Sequence, residues 1–206
     1  MTDVALVTGF AGYGGRGRNP AGEAAKALEG RSIGGLAVKG RVLPVSYGRL
    51  QANLHGLVDE LRPRLVIGLG LWPGEPMIRL ERVGINVADF EIPDNEGAFL
   101  SDMPISGNGA AAVMSTLPLR DIEASLLAAG IPVRISSTAG TFLCNATHSI
   151  RRSRTPIGCR PAPSRGSSMC RICPNRSRTS FGRSARTASS SSASAATSLR
   201  WILPPL

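Results

Sequence analysis

Apolar residues along the first 147 positions follow two periods that alternate along the chain. Residues 4–9 (VALVTG) form a short β-branched run ending on glycine, which predicts a strand. A glycine-rich turn follows, and Asn19-Pro20 opens a helical stretch that stops at Gly30. Residues 41–47 (RVLPVSY) read as a second strand. Apolar side chains at 50, 54, 57, 58 and 61 give helical spacing over 49–61. Residues 64–68 (RLVIG) predict a third strand, 77–89 a fourth and 133–137 a fifth, with a short helix over 121–129. A last helix follows Ala139-Gly140-Thr141 and carries Cys144 in its first turns. Strands alternating with helices of this size predict an α/β domain on a mostly parallel, twisted sheet with helices on both faces.

Charge changes the picture of the rest. The formal net charge of +10 suggests a nucleic-acid partner when averaged over the whole chain. Residues 1–147 hold 13 Lys+Arg and 14 Asp+Glu, whereas residues 148–206 hold 11 Arg, no acid and 14 Ser. Residues 1–147 therefore read as a globular domain and 148–206 as an Arg/Ser-rich, irregular or disordered tail with too little to bury. Arginines in such a tail could hold RNA or another anion, although Phe181 and Trp201 offer few stacking surfaces. No apolar run approaches a membrane span, and the start lacks the pattern of a secretory signal, so a cytoplasmic protein is expected.

Three features invite chemistry. The loop 9–19 (GFAGYGGRGRN) follows a strand but lacks the lysine of a phosphate loop and fits the dinucleotide fingerprint poorly, so no nucleotide cofactor is expected. Cys170-Arg171-Ile172-Cys173 has metal-site spacing, but only Cys159 is near as a further ligand, so no metal is expected. Cys144 stands at a predicted helix N-terminus, where backbone amides would stabilise a thiolate and lower the thiol pKa. A small buried core residue is the other reading of Cys144. A nucleophile there wants a base and an orienting carboxylate. His148 lies four residues on, His55 reads as a surface residue of the 49–61 helix, and Glu81 sits within the strand-like run 78–83.

Five stretches taken together resemble the bacterial pyroglutamyl peptidase I family: VTGFAGYGG with Asn19-Pro20, ERVGIN (81–86), IPDNEG (92–97), DMPI (102–105) and STAGTFLCN (137–145). The resemblance implies a three-layer α/β sandwich of the phosphorylase/hydrolase type. It also implies a cytoplasmic cysteine exopeptidase that releases 5-oxoproline from N-terminally pyroglutamylated peptides, commonly as a homotetramer. Carried over by motif, Cys144 resembles the nucleophile and Glu81 the orienting acid. Phe10, Tyr13, Asn19, Ile92, Phe142 and Leu143 fall where the family builds its pyroglutamyl pocket. Three departures stand out: Ala11-Gly12 in the first loop, Glu91 in place of a common arginine, and LGLWPGE (69–75) in place of a glycine-rich loop.

A fourth departure is larger. The family's histidine motif, Gly-Phe-Ile-His-Val-Pro, is missing from its place about two dozen residues after the cysteine. Reading across codons, from the last base of one into the first two of the next, with third bases chosen freely where the code permits, restores it. Ser168 as TCC and Met169 as ATG give CAT, histidine, and Met169 with Cys170 gives valine. Starting from the last base of codon 165, codons 166–177 then yield Gly-Phe-Ile-His-Val-Pro-Tyr-Leu-Pro-Glu-Gln-Val. A disruption of frame near codons 146–148 would explain the Arg/Ser bias, the absent acids and the stray cysteine pair together. It would also leave the chain without its general base, hence inactive or severely impaired as a hydrolase.

Overall fold

The computed structural model describes residues 3–150. The tail composition, Cys170, Cys173 and the expectation of disorder after 147 lie outside the described residues.

The chain begins with β1 (Val4–Phe10), α1 (Pro20–Leu28), β2 (Ser32–Ile33), β3 (Leu36–Leu43), α2 (Tyr47–Leu61) and β4 (Leu65–Gly68). These strands make one sheet in the order β2-β3-β1-β4, with β3, β1 and β4 parallel and β2 antiparallel at the edge. β1 is buried at every position from Ala5 to Phe10, as a central strand covered on both faces must be. Ala5 and Val7 join Ala25 of α1 with Leu36 and Val38 of β3 in one core cluster. Phe10 and Leu43 join Leu50 and Leu54 of α2 in the other. Gly40 lets α1 approach β3 closely, since a Cβ there would come within 1.9 Å of the Ala25 carbonyl oxygen.

Beyond this sheet come β5 (Ile78–Glu81), β6 (Val83–Ile85), β7 (Ala112–Met114), α3 (Leu119–Ala128), β8 (Val133–Ser136) and α4 (Leu143–Ile150). β5 pairs with β8 in parallel, placing Glu81 opposite Ser136, and β6 pairs antiparallel with β7. α4 docks on β6 through Asn145, which is fully buried. Its Oδ1 accepts from the Ile85 N–H at 2.8 Å, and its Nδ2 donates to the carbonyls of Ile85 (2.9 Å) and Val87 (2.8 Å). The result is the expected mostly parallel α/β arrangement with helices packed on the sheet. α4 runs without a break to Ile150, across the boundary expected at 147. No helix among the described residues is long and apolar enough to cross a membrane.

Several expectations need correction. The strand predicted over 41–47 runs instead from Leu36 to Leu43, because Pro44 has no N–H to continue the ladder and Ser46 already caps α2. The single strand expected over 77–89 is two, broken at Arg82, whose neighbours pair with different partners. β2 and β7, of two and three residues, are too short to leave a periodic signal. His55 is half-buried, with its Nε2 enclosed and without a hydrogen-bond partner among the described residues.

Candidate active site

The cysteine stands where the sequence placed it, in the first turn of α4 after a tight loop from β8. Its sulfur lies against Gly70, where a Cβ would come within 2.5 Å, so this position admits only glycine without displacement. Burial pushes the Cys144 thiol up from an ordinary 9.0 to about 11, and the charge of Glu81 adds to the rise. The Leu71 backbone N–H, aimed at the sulfur, pulls the other way but is outweighed. The lowered thiol expected from a helix N-terminus is therefore not what the site provides: desolvation and a nearby carboxylate dominate the amides.

Next to Cys144 lies a cavity of about 240 Å³. All six residues assigned to a pocket line it: Phe10, Tyr13, Asn19, Ile92, Phe142 and Leu143. Its walls are held by a chain of aromatic contacts. Tyr13 and Phe142 have centroids 5.9 Å apart, Phe142 meets Phe90 edge-on at 4.6 Å, and Phe90 meets Tyr47 edge-on at 5.6 Å. The Tyr13 hydroxyl donates to the Leu71 carbonyl at 3.3 Å, and burial, with Cys144 beside it, raises its pKa despite Arg16. Asn19 borders the cavity but is committed to the scaffold. Its Oδ1 caps α1 by accepting from the Ala21 N–H at 3.0 Å, and its Nδ2 donates to the Ala11 carbonyl at 3.1 Å.

IPDNEG acts as a clamp beneath this wall. Asp94 accepts from the N–H groups of Tyr47 (2.7 Å), Glu96 (2.8 Å) and Ala98 (2.9 Å). Asn95 Nδ2 donates to the Gly12 carbonyl at 2.9 Å, and Glu96 accepts from the Ser46 hydroxyl at 2.7 Å. The motif thus ties the first loop to the start of α2 and holds Ile92 at the cavity.

Glu81 does not line that cavity. It borders a second one, of about 530 Å³, which Cys144 and His148 also line. Glu81 Oε1 accepts from Arg79 Nε at 3.0 Å, while Oε2 is buried and has no hydrogen-bond partner among the described residues. Arg79 also donates to the Ser136 hydroxyl (2.9 Å) and the Thr138 carbonyl (2.5 Å), which fixes the acid relative to the loop before Cys144. A carboxylate pinned by one oxygen, with the other buried and unengaged, leaves a place for a donor such as an imidazole N–H. His148 lies with its ring against Gly84, where a Cβ would approach its Cβ and Cγ to 2.9 Å. No group of three His, Cys, Asp or Glu among the described residues could hold a metal ion.

The family model described as pyroglutamyl peptidase matches residues 3–154. The chain belongs to the pyroglutamyl peptidase family. Pyrrolidone-carboxylate peptidases of Chromobacterium violaceum and Pyrococcus furiosus are each 44% identical over 140 residues, covering 68% of this chain and 67% of the relative. A crystal structure of a mutant pyrrolidone carboxyl peptidase from P. furiosus superposes with a TM-score of 0.70 at 42% identity, over 71% of this chain and 70% of the other. The pyrrolidone carboxyl peptidase from Thermococcus litoralis gives 0.69 at 42%, over 71% and 66%. These alignments span about two thirds of each relative.

The cavity also contains residues that the sequence reading did not assign to a pocket. Trp72 lines both cavities, stacked over the Arg79 guanidinium at 3.9 Å from its ring centroid. Asp89 and Glu91 line the first cavity too. The departures LGLWPGE and Glu91 marked these places, but nothing in a strand or helix period distinguishes a wall residue from a surface one.

Proposed function

We propose that this chain recognises the N-terminal pyroglutamyl residue of peptides in the Cys144 cavity, and that its descent is from a cysteine exopeptidase acting on them. One observation carries the reading: the six residues assigned to the pocket converge on a single apolar cavity beside the cysteine. Its volume lies a little below the ~300–1,000 Å³ of pockets for larger ligands, which suits a small lactam ring. Apolar walls accept the ring methylenes, and a few polar groups at the rim meet its amide.

In the parent reaction Cys144 attacks the carbonyl carbon of the pyroglutamyl residue, and amides at the start of α4 hold the oxyanion. The thiol proton passes to a general base, which returns it to the leaving amine; water then hydrolyses the acyl-enzyme. This chain supplies the nucleophile, the amides and the orienting Glu81. Its thiol is held at about 11, so attack at neutral pH requires that base. The frame reading accounts for the missing base: codons 166–177, with third bases chosen where the code leaves them free, can spell the histidine motif in the neighbouring frame, and the family match stops at residue 154, close to where this chain's composition changes. The Glu81 Oε2, buried and without a partner among the described residues, supports the same account, as the acceptor left without its imidazole. The chain would then act in the cytoplasm as a pyroglutamyl-peptide binder with residual or no hydrolysis.

Calorimetry with 5-oxoprolinamide, against prolinamide as the ring lacking the lactam carbonyl, tests recognition. Saturable binding of the first, absent for the second and lost in Phe142→Ala, is expected. Equal or absent binding of both would overturn it.

A further inference from the structure

The mouth of the cavity carries groups that a lactam ring does not need. Trp72 keeps 47% of its surface exposed while lining the cavity, and Arg79 holds one face of the indole. Gly140 lies against its edge, where a Cβ would come within 3.2 Å of Cζ3. The ring is therefore a fixed plane, one residue along from the Leu71 amide aimed at the nucleophile. Two exposed carboxylates, Asp89 and Glu91, border the same cavity, and neither takes part in an ion pair among the described residues. Asp89 is tied beside Cys144: its carbonyl accepts from the Thr141 hydroxyl at 2.5 Å, and its N–H donates to the Thr141 carbonyl at 3.2 Å. Arg16 is the cation of this lining, set beside Tyr13.

With the ring inside and the carbonyl at Cys144, the rest of a peptide leaves across this mouth. We propose that Trp72 and Glu91, with Asp89, select peptides whose residue after the pyroglutamyl group is a planar cation, arginine above all. A guanidinium can stack on the indole and pair with a carboxylate at once, which an ammonium does less well and a carboxylate opposes. This rests on the pyroglutamyl reading of the cavity. It makes the two departures, the tryptophan loop and Glu91, determinants of which peptide is held.

The test is calorimetry on the full 206-residue chain at low ionic strength. The ligands are 5-oxoprolinamide and the amides of pyroglutamyl-arginine, -lysine, -leucine and -glutamate. The arginine peptide should bind about five- to tenfold tighter than the leucine peptide, as expected for one stacking and one exposed charge contact, and the glutamate peptide weakest. Added salt should narrow that spread. Glu91→Gln should cut the arginine-over-leucine ratio to about twofold, and Trp72→Leu should bring arginine and lysine together. Binding of 5-oxoprolinamide with equal affinity for all four peptides would overturn this proposal alone. Failure of 5-oxoprolinamide to bind would overturn the cavity reading and this proposal with it.

Discussion

Removing the charge of Glu81 should make Cys144 more reactive, the reverse of its effect in a working peptidase. Burial and the Glu81 carboxylate hold the thiol at about 11, against 9.0 without them. At pH 7.5 a thiol at about 11 is roughly 3 parts in 10⁴ thiolate, about a hundredfold less than at 9.0, a difference of about 2.7 kcal/mol. Glu81→Gln keeps the shape and a hydrogen-bond acceptor for Arg79 but removes the charge. A partly screened carboxylate contributes about half to one pKa unit, so the thiolate fraction should rise about three- to tenfold. The assay is iodoacetamide alkylation, read by mass spectrometry on the peptide containing Cys144 so that the tail cysteines do not interfere. The rate should climb about tenfold per pH unit from 7.5 towards 10 in the parent chain, and run faster at 7.5 in the variant. An inflection at or below the ordinary thiol value of 9.0, or a slower variant, would refute the reasoning.

Other consequences follow from the same contacts. Asn145→Ala strands the Ile85 N–H and the Ile85 and Val87 carbonyls, and should lower stability by about 3 kcal/mol in urea titration. Burial raises the Asp94 carboxyl, but the N–H groups of Tyr47, Ala98, Glu96 and Gly97 outweigh it and hold it below the usual range. That contribution is present above the unfolded aspartate pKa and is lost as pH falls through the folded value. Thermal melts of the parent chain should therefore drop more steeply on acidification than those of Asp94→Asn. Phe142→Ala removes the ring contacts to Tyr13 and Phe90 and should weaken 5-oxoprolinamide by about tenfold or more in calorimetry while the chain stays folded by circular dichroism.

The first strand, α2 and the α4 start were legible because each carries a clean local signal: the β-branched run 4–9 for β1, the helical spacing of 50, 54, 57, 58 and 61 for α2, and Ala139-Gly140-Thr141 before α4. The pocket residues became legible only through the motif resemblance, since Phe10 ends β1 while Ile92 and Phe142 come from two distant loops, and no local period joins them. IPDNEG stood out as a motif, yet its role as a clamp depends on Asp94 meeting backbone amides 47 residues away, which only tertiary structure reveals. The sign of the Cys144 shift was read wrongly for a similar reason. A helix N-terminus is local and visible in sequence, whereas the enclosing Gly70–Leu71 turn and the Glu81 charge arrive from elsewhere in the chain.

The central claim is that recognition of the pyroglutamyl group persists here without the base that hydrolysis needs. The most direct measurement compares turnover of a fluorogenic pyroglutamyl amide by three proteins: the 206-residue chain, its Cys144→Ala variant and a version with the frame restored after codon 147. No turnover above the Cys144→Ala background is expected from the chain as it stands, with clear turnover on restoring the frame; loss of a base commonly costs about 10⁴-fold or more. Turnover by the 206-residue chain that Cys144→Ala abolishes would contradict the account and place the base on His148.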